Sequence, residues 1–435
     1  MPKASCQGRD QSGWLLYHPQ GHGPGRCGIT CEPQGGGGQE AYESAAFCRH
    51  HPGCCPPVRR GVRCPGRRSV SGAGAGRNGR HCPRADAESV CGDHPKHTGR
   101  RMSRIPFEHK MAAHCETGTV AALLAHAGFA ISEAMVFGIS GGIFFAYLRT
   151  RQLPFPMFVM RSKPGQVRKN IGKRLKVDFA ARTYRNAAAA REALDSLLEK
   201  KIPAAVQVDM FNMDYIPSYM KVHFNGHFVT VIGKENGAYI VSDCYHPEVA
   251  QVKALSLERG RFARGELAPK GLLFYPRQVP QSPDLAGPIR AGIKEACFNM
   301  LTVPIPFLGV RGIRYFARKL PAWPGLARDA EYLAHQIMMI SVTLEDRGTG
   351  GAGFRFMYAT FLQQAAQVLK SAELEELSRE MMGIGDRWRE ISLSAARMSK
   401  RRELGADRLA GLGDMLMQRA DEEEAFFRRL AAWAR

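Results

Sequence analysis

The chain has 435 residues, 44% of them hydrophobic, a length and apolar content that allow two or three domains with buried cores. Its formal net charge of +21 points to a partner or substrate of negative charge, and the charge is spread along the chain, which excludes a single basic tail as its source. The most apolar run, residues 134–148, is shorter than the ~20 residues of a spanning helix, and the polar start MPKASCQGRD lacks the apolar stretch of a secretory signal.

Residues 1–101 hold 19 of the 46 glycines, and fifteen Lys/Arg against seven Asp/Glu, with no helical or strand periodicity. Such a segment buries too little surface to offset chain entropy, so disorder is expected there. Nine of the twelve cysteines also fall before residue 102. Cys27 and Cys31, or Cys54 and Cys55 beside His50 and His51, could be read as zinc ligands, but no paired C-x2-C frame is present. The change of character at Met102 suits a start at that position, with the preceding residues as translated upstream sequence. After it come only Cys115, Cys244 and Cys297, which make no disulfide framework, so the body of the chain reads as reduced and cytoplasmic.

From 102 to 284 helix and strand signals alternate. Apolar Val120, Leu123, Leu124 and Ala127 predict a helix over 116–127, stopped by Gly128. Ser132-Glu133 starts another, and 134–148 reads as a buried core segment. Residues 157–161 read as a strand and 186–200 as a helix of good helix formers. Strands are expected at 204–210, 227–234, 238–244 and 271–276, the middle two joined through Glu235-Asn236-Gly237 as a hairpin. Helices first and an antiparallel sheet after give an α+β domain. From 285 to 435 only helices are expected, at 327–343, 353–370, 372–383, 385–398 and 403–433. The RGTGGAG segment at 347–353 lacks the Gly-Lys-Ser/Thr of a P-loop, which leaves a tight turn or a ligand-lining loop.

The chemistry centres on His114-Cys115-Glu116-Thr117-Gly118. A cysteine at a helix start meets free backbone N–H groups and the positive end of the helix dipole, which favour thiolate and can stabilise an oxyanion. A lone cysteine is more often structural. The odds change with Gly226-His227, which sets an imidazole at the start of a strand, and with Asp243 at the end of the hairpin partner. In a hairpin turning at Asn236, His227 and Asp243 fall at or near opposing positions, ~5 Å apart at the backbone. An aspartate there fixes the histidine tautomer and supports the imidazolium.

Other residues near this site have two readings each. Asp209 and Asp214, with Tyr215 and Tyr219, precede the His227 strand; they line an entrance that binds a cationic amine, or form a polar loop. His223 and His246 flank the site without the spacing of a metal centre. Cys244 follows Asp243 and faces the opposite side of the strand, which makes it core. His114 is a possible competing base, but its side chain is expected to point away from the thiol.

The order Cys115, His227, Asp243 resembles the papain-like fold, and within it the peptidases that process bacteriocin leaders. A closer resemblance is to the N-terminal family of butirosin biosynthesis protein H. It is carried by His114-Cys115, Ser132-Glu133, the run Phe137-Gly138-Ile139-Ser140-Gly141-Gly142-Ile143, Gly226-His227 and the strand from Tyr239 to Asp243, and covers roughly 105–275. The remainder resembles the helical domain often fused to it, through Gly350-Gly351 and Phe354-Arg355. This resemblance implies a papain-like cysteine peptidase/acyltransferase domain, 102–284, followed by an all-α domain, 285–435. It implies acyl transfer from an acyl carrier protein thioester to an amine or hydroxyl acceptor, with Cys115 as nucleophile, His227 as base and then acid, and Asp243 as orienter. The carrier's phosphopantetheine supplies the thioester, and no bound cofactor or metal is implied. Papain-like peptidases place a glutamine about six residues before the cysteine as an oxyanion donor; His109 stands there instead, and its N–H is the available substitute. The basic stretch 161–176 is a docking face for an acidic carrier, or a solvated helix face. Two rival readings remain: a cysteine hydrolase with the same triad, and a non-catalytic binding protein. No aromatic-interleaved basic motif points to nucleic acid, and no segment points to a membrane.

Overall fold

The computed structural model describes residues 104–151 and 153–435, so the expectations for residues 1–101 lie outside the described residues. Two capped helices come first. In α1 (Cys115–His126) the His114 side chain accepts the Thr117 N–H, and in α2 (Glu133–Ile139) Ser132 accepts the Met135 N–H. Gly128, at φ +92°, ends the first of them. The apolar run 134–148 is buried but divides into α2 and β1 (Ile143–Leu148), which pairs with β2 (Met157–Arg161). Then follow α3 (Gln166–Leu175), β3 (Asp178–Arg182), α4 (Ala187–Glu199), β4 (Ala204–Val208), β5 (His227–Glu235), β6 (Ala238–Ser242), β7 (Ala250–Lys253), α5 (Ala254–Arg261) and β8 (Leu273–Gln278).

Six of these strands form one antiparallel sheet in the order β3-β8-β4-β5-β6-β7. Its two faces follow the period of two. Phe228, Ile232 and Phe274 join Val120, Leu123 and Leu124 of α1 in the main core. Val206, Val208, Val229, Val231 and Val241 pack with Leu194 and Leu198 of α4 and Leu257 of α5 in a second core. The β5–β6 hairpin turns through Asn236 (φ 49°) and Gly237 (φ 79°), both left-handed as a two-residue hairpin turn requires.

The helical part comprises α6 (Ala286–Cys297), α7 (Gly309–Lys319), α8 (Ala330–Glu345), α9 (Arg355–Leu369), α10 (Ala372–Arg401) and α11 (Ala406–Trp433). The first two were not expected from the sequence. The helices expected at 372–383 and 385–398 are the single helix α10. Gly385 does not break it: a Cβ there would lie 2.5 Å from the Phe356 ring, so glycine serves close approach of α9. The main core continues from α1 into these helices, with Phe145 and Phe158 stacked on Phe316 of α7. Among the described residues no helix is long and apolar enough to cross a membrane. The architecture is the expected α+β domain followed by helices. Its cysteine-bearing helix lies against an antiparallel sheet that carries the histidine.

Candidate active site

Cys115 is the first residue of α1, so its own N–H has no acceptor within the helix. The turn before it is clamped by Glu133 at the start of α2. That carboxylate accepts the Ala113 N–H (2.9 Å), the His114 N–H (2.7 Å) and the Thr117 hydroxyl (2.8 Å). Burial raises the Glu133 pKa, against the pull of these three donors. Glu116 is buried and turns the other way, accepting the Gly165 N–H (3.0 Å) and the Arg168 N–H (3.3 Å) at the start of α3. Gly118 lets α1 settle on Ala112 and Cys244, because a Cβ there would lie 2.4 Å from the Ala112 Cβ and 3.1 Å from the Cys244 sulfur.

The Cys115 thiol donates to the Gly226 carbonyl oxygen at 3.7 Å, which sets the sulfur beside the next residue, His227. His227 Nε2–H donates to Asp243 Oδ2 at 2.8 Å, which leaves Nδ1 as the ring nitrogen for the thiol. Asp243 is held by two further donors, the Tyr215 hydroxyl on Oδ2 (2.6 Å) and the Tyr245 N–H on Oδ1 (3.0 Å). Cys115, His227 and Asp243 are 9%, 4% and 1% exposed. Burial opposes a charged His227, yet the Asp243 carboxylate and then the Cys115 sulfur hold it well above the ordinary histidine value. Burial likewise opposes the Asp243 charge, and the His227 ring, the Tyr215 hydroxyl and the Tyr245 N–H overcome it, so Asp243 lies below the usual aspartate value.

His227 and Asp243 are near one another, as expected, but not directly opposed. Glu235 pairs with Ala238 but Thr230 pairs with Ser242, because the register shifts between Val231 and Gly233. Continued past Ser242, this register sets Asp243 beside Val229, which shares a face with His227. Without the extra residue at Ile232, Asp243 would fall beside Thr230, on the other face. The bulge therefore brings the carboxylate to the imidazole. Ile105 N–H takes the bulged Ile232 carbonyl at 2.7 Å, and a Cβ at Gly233 would lie 3.0 Å from the Arg104 Cα.

Three sequence-based expectations need correction. His109 does not offer an N–H to an oxyanion: its Nε2–H donates to the His246 carbonyl (3.0 Å) and its Nδ1 accepts the Ser242 hydroxyl (2.8 Å). Both nitrogens brace the chain on either side of Asp243. Asp209 does not line an entrance: it is 2% exposed and accepts from Phe211 N–H, Asn212 Nδ2, His223 Nδ1 and Phe224 N–H within its own loop. Tyr215 is at the site, but its hydroxyl points to Asp243 and not to an open cleft.

The remaining neighbours are accounted for by their contacts. His114 is buried, held by Thr117, and kept well below the ordinary histidine value first by burial and then by Arg161 and His227. Cys244 is a buried thiol, pushed up first by burial and then by Cys115 and Asp243. Asp214 accepts the Lys253 N–H and the Ser256 hydroxyl. His223 stacks on Phe211, and His246 bonds within its own turn. Among the described residues no three His, Cys, Asp or Glu side chains gather as metal ligands. Of the basic stretch, Arg168 and Arg174 are committed to Phe274 and Glu295, while Lys163, Lys169, Lys173 and Lys176 are exposed.

Residues 114–244 match the family model described as butirosin biosynthesis protein H, N-terminal, and residues 255–430 match the domain of unknown function DUF4872. Residues 114–244 form a butirosin biosynthesis protein H N-terminal domain. A solved structure described as a C39-like peptidase from Bacillus anthracis aligns over 40% of this chain and 96% of its own, at 13% identity and a TM-score of 0.27. No curated protein matches the chain. The butirosin biosynthesis protein H N-terminal match begins at His114 and ends at Cys244, so it spans the thiol, imidazole and carboxylate described above. That match and this geometry together make Cys115, His227 and Asp243 the candidate catalytic set. Ser132-Glu133, read in the sequence as a helix start and as part of the resemblance, does two things here: Ser132 caps α2 and Glu133 clamps the turn that presents Cys115.

Proposed function

We propose that this chain moves an acyl group from a carrier-protein thioester to an amine or hydroxyl acceptor through a Cys115 acyl-enzyme. The observation that carries the proposal is the buried chain of thiol, imidazole and carboxylate at a helix start, with Cys115 only 9% exposed. A deeply set thioester intermediate is shielded from bulk water, and shielding favours transfer over hydrolysis. The family resemblance supports the same chemistry.

In the starting state the Cys115 thiolate faces a protonated His227, which Asp243 holds through Nε2–H. The sulfur attacks the thioester carbonyl carbon, and the electron pair moves onto oxygen. The Cys115 N–H is the donor placed to meet that oxyanion. Collapse breaks the bond to the carrier's phosphopantetheine sulfur, which takes the His227 Nδ1 proton and leaves as a thiol. The acceptor amine then attacks the Cys115 thioester and gives a proton to Nδ1. The amide forms as the Cys115 sulfur departs as thiolate, restoring the starting pair. The acidic carrier would approach over the exposed lysines of α3, whose first turn is tied to Glu116, the residue beside Cys115.

The test is partition of the acyl-enzyme. Protein loaded from an acylated carrier is split between buffer alone and buffer with a panel of amines and alcohols, and loss of the adduct is followed by intact mass. Faster discharge with a nucleophile, yielding its acyl product, supports transfer. Discharge by water at the same rate with every acceptor would establish a hydrolase instead.

A further inference from the structure

The helices beyond residue 285 touch the site directly. The Tyr245 hydroxyl donates to the Asp346 carbonyl at 3.1 Å. A Cβ at Gly348 would lie 3.1 Å from the Ala113 carbonyl oxygen, and one at Gly350 would lie 3.2 Å from the Ala113 Cβ. Phe354 stacks on Phe137 at 5.0 Å and sets its edge against His114 at 5.4 Å. Residues 346–354 therefore lie along the turn that presents Cys115, next to the chain that follows Asp243.

This segment has an unusual backbone. Ala352, Gly353 and Phe354 are all left-handed, at φ 50°, 56° and 72°. Two of the three carry side chains, and both are buried, so the turn holds a conformation that L residues disfavour. What holds it is the next residue. Arg355 is 0% exposed; its Nη1 donates to the Gly353 carbonyl (2.8 Å), and Nε and Nη2 fork onto Glu423 of α11 (2.8 and 2.9 Å). Trp388 of α10 donates to the same carboxylate at 2.6 Å and lies under the guanidinium, 4.9 Å from its centroid. An apolar core would join these helices at lower desolvation cost than a buried ion pair. The pair differs from apolar packing in gripping the left-handed turn by its carbonyl.

We infer that residues 346–354 are a fixed wall of the thiol site and that Arg355 and Glu423 are positioning residues, setting that wall against the His114–Cys115 turn. The helical part thus completes the site. This rests on the reading of Cys115 as the nucleophile.

The experiment follows iodoacetamide alkylation of Cys115 at pH 6, read on its peptide by mass, beside thermal melting of each variant. Wild type is expected to react well above the rate of a free cysteine. Gly350→Ala adds a methyl at an exposed tip aimed at Ala113; Glu423→Gln keeps the shape but discharges the pair. Both are expected to slow alkylation about tenfold or more, as small displacements of reacting groups do, with the circular dichroism of the fold retained. Gly411→Ala, in α11 with nothing within 4 Å of the added carbon, is the control and stays at the wild-type rate. Should Glu423→Gln fail to fold, Gly350→Ala decides alone. A slow wild type overturns the nucleophile reading and this inference with it. A fast wild type with equally fast folded variants overturns the inference and leaves that reading standing.

Discussion

Replacing Tyr215 by phenylalanine separates two accounts of that residue. The phenol donates to Asp243 Oδ2 at 2.6 Å, and its ring packs edge-on against His246 at 5.6 Å. Burial, and then the Asp243 charge, push the hydroxyl well above its ordinary value, so it stays a donor across the working range. The substitution keeps the ring and removes one donor from a 1% exposed carboxylate. A hydrogen bond to a charged group contributes about 1.5–3 kcal/mol. At the roughly 2–4 °C per kcal/mol of larger domains, the melting temperature falls roughly 3–12 °C. Asp243 then keeps His227 and the Tyr245 N–H but loses the restraint that fixes Oδ2, so kcat falls about tenfold while KM holds. Calorimetry and steady-state transfer kinetics read both numbers. A raised KM with unchanged kcat and unchanged melting would refute the positioning role and restore Tyr215 as a substrate contact.

Three more outcomes follow from the geometry. Asp243 raises His227, so the proton that His227 gives to the leaving thiol is retained above the ordinary histidine range and lost as pH climbs through the raised value; Asp243→Asn should move the alkaline fall of the pH–rate profile to lower pH, and an unmoved limb would contradict the pairing. Gly233→Ala sets a Cβ 3.0 Å from the Arg104 backbone at the bulge that aligns Asp243, and should cost about 1–3 kcal/mol in denaturant unfolding together with activity; a wild-type midpoint would count against the bulge. Arg347 lines a cavity of about 70 Å³ with Phe155 and Trp323, and burial pushes it down to about 10 with no carboxylate beside it among the described residues. Arg347→Met should therefore raise the melting temperature, by on the order of 1 kcal/mol of stability, and a lowered one would show that the guanidinium is stabilising where it stands.

Much of this molecule could be read from residue order. Strands β4 and β5 carry alternating valines, β6 is the apolar run Tyr239-Ile240-Val241, and Asn236-Gly237 marks the β5–β6 hairpin, so the strand bearing His227 and the one leading to Asp243 were legible. So was the start of α1, because a polar turn gives way to Val120, Leu123 and Leu124. The bulge at Ile232 was not: one extra residue leaves the apolar pattern intact while exchanging the faces beyond it. Strand β7 is only four residues long and gives no periodic signal, and in α3 the apolar Val167, Ile171 and Leu175 are set in a run of basic residues that drew the reading instead. His109 and Asp209 look functional by residue type, and only their partners, Ser242 and His246 for one and its own loop for the other, show their hydrogen bonds to be spent. The Gly-rich segment at 347–353 was legible as a turn or a ligand-lining loop, but not where it packs, because its contacts, Ala113 and His114, are distant in the chain.

The central claim is that Cys115 carries the acyl group. Mixing the protein with an acylated carrier, quenching in acid and mapping the adduct by peptide mass tests it directly. The account predicts the acyl mass on the peptide containing Cys115 and none in Cys115→Ala, with Cys244 and Cys297, whose burial pushes both thiols up, unmodified. An adduct on either of those cysteines, or one that persists in Cys115→Ala, would contradict it.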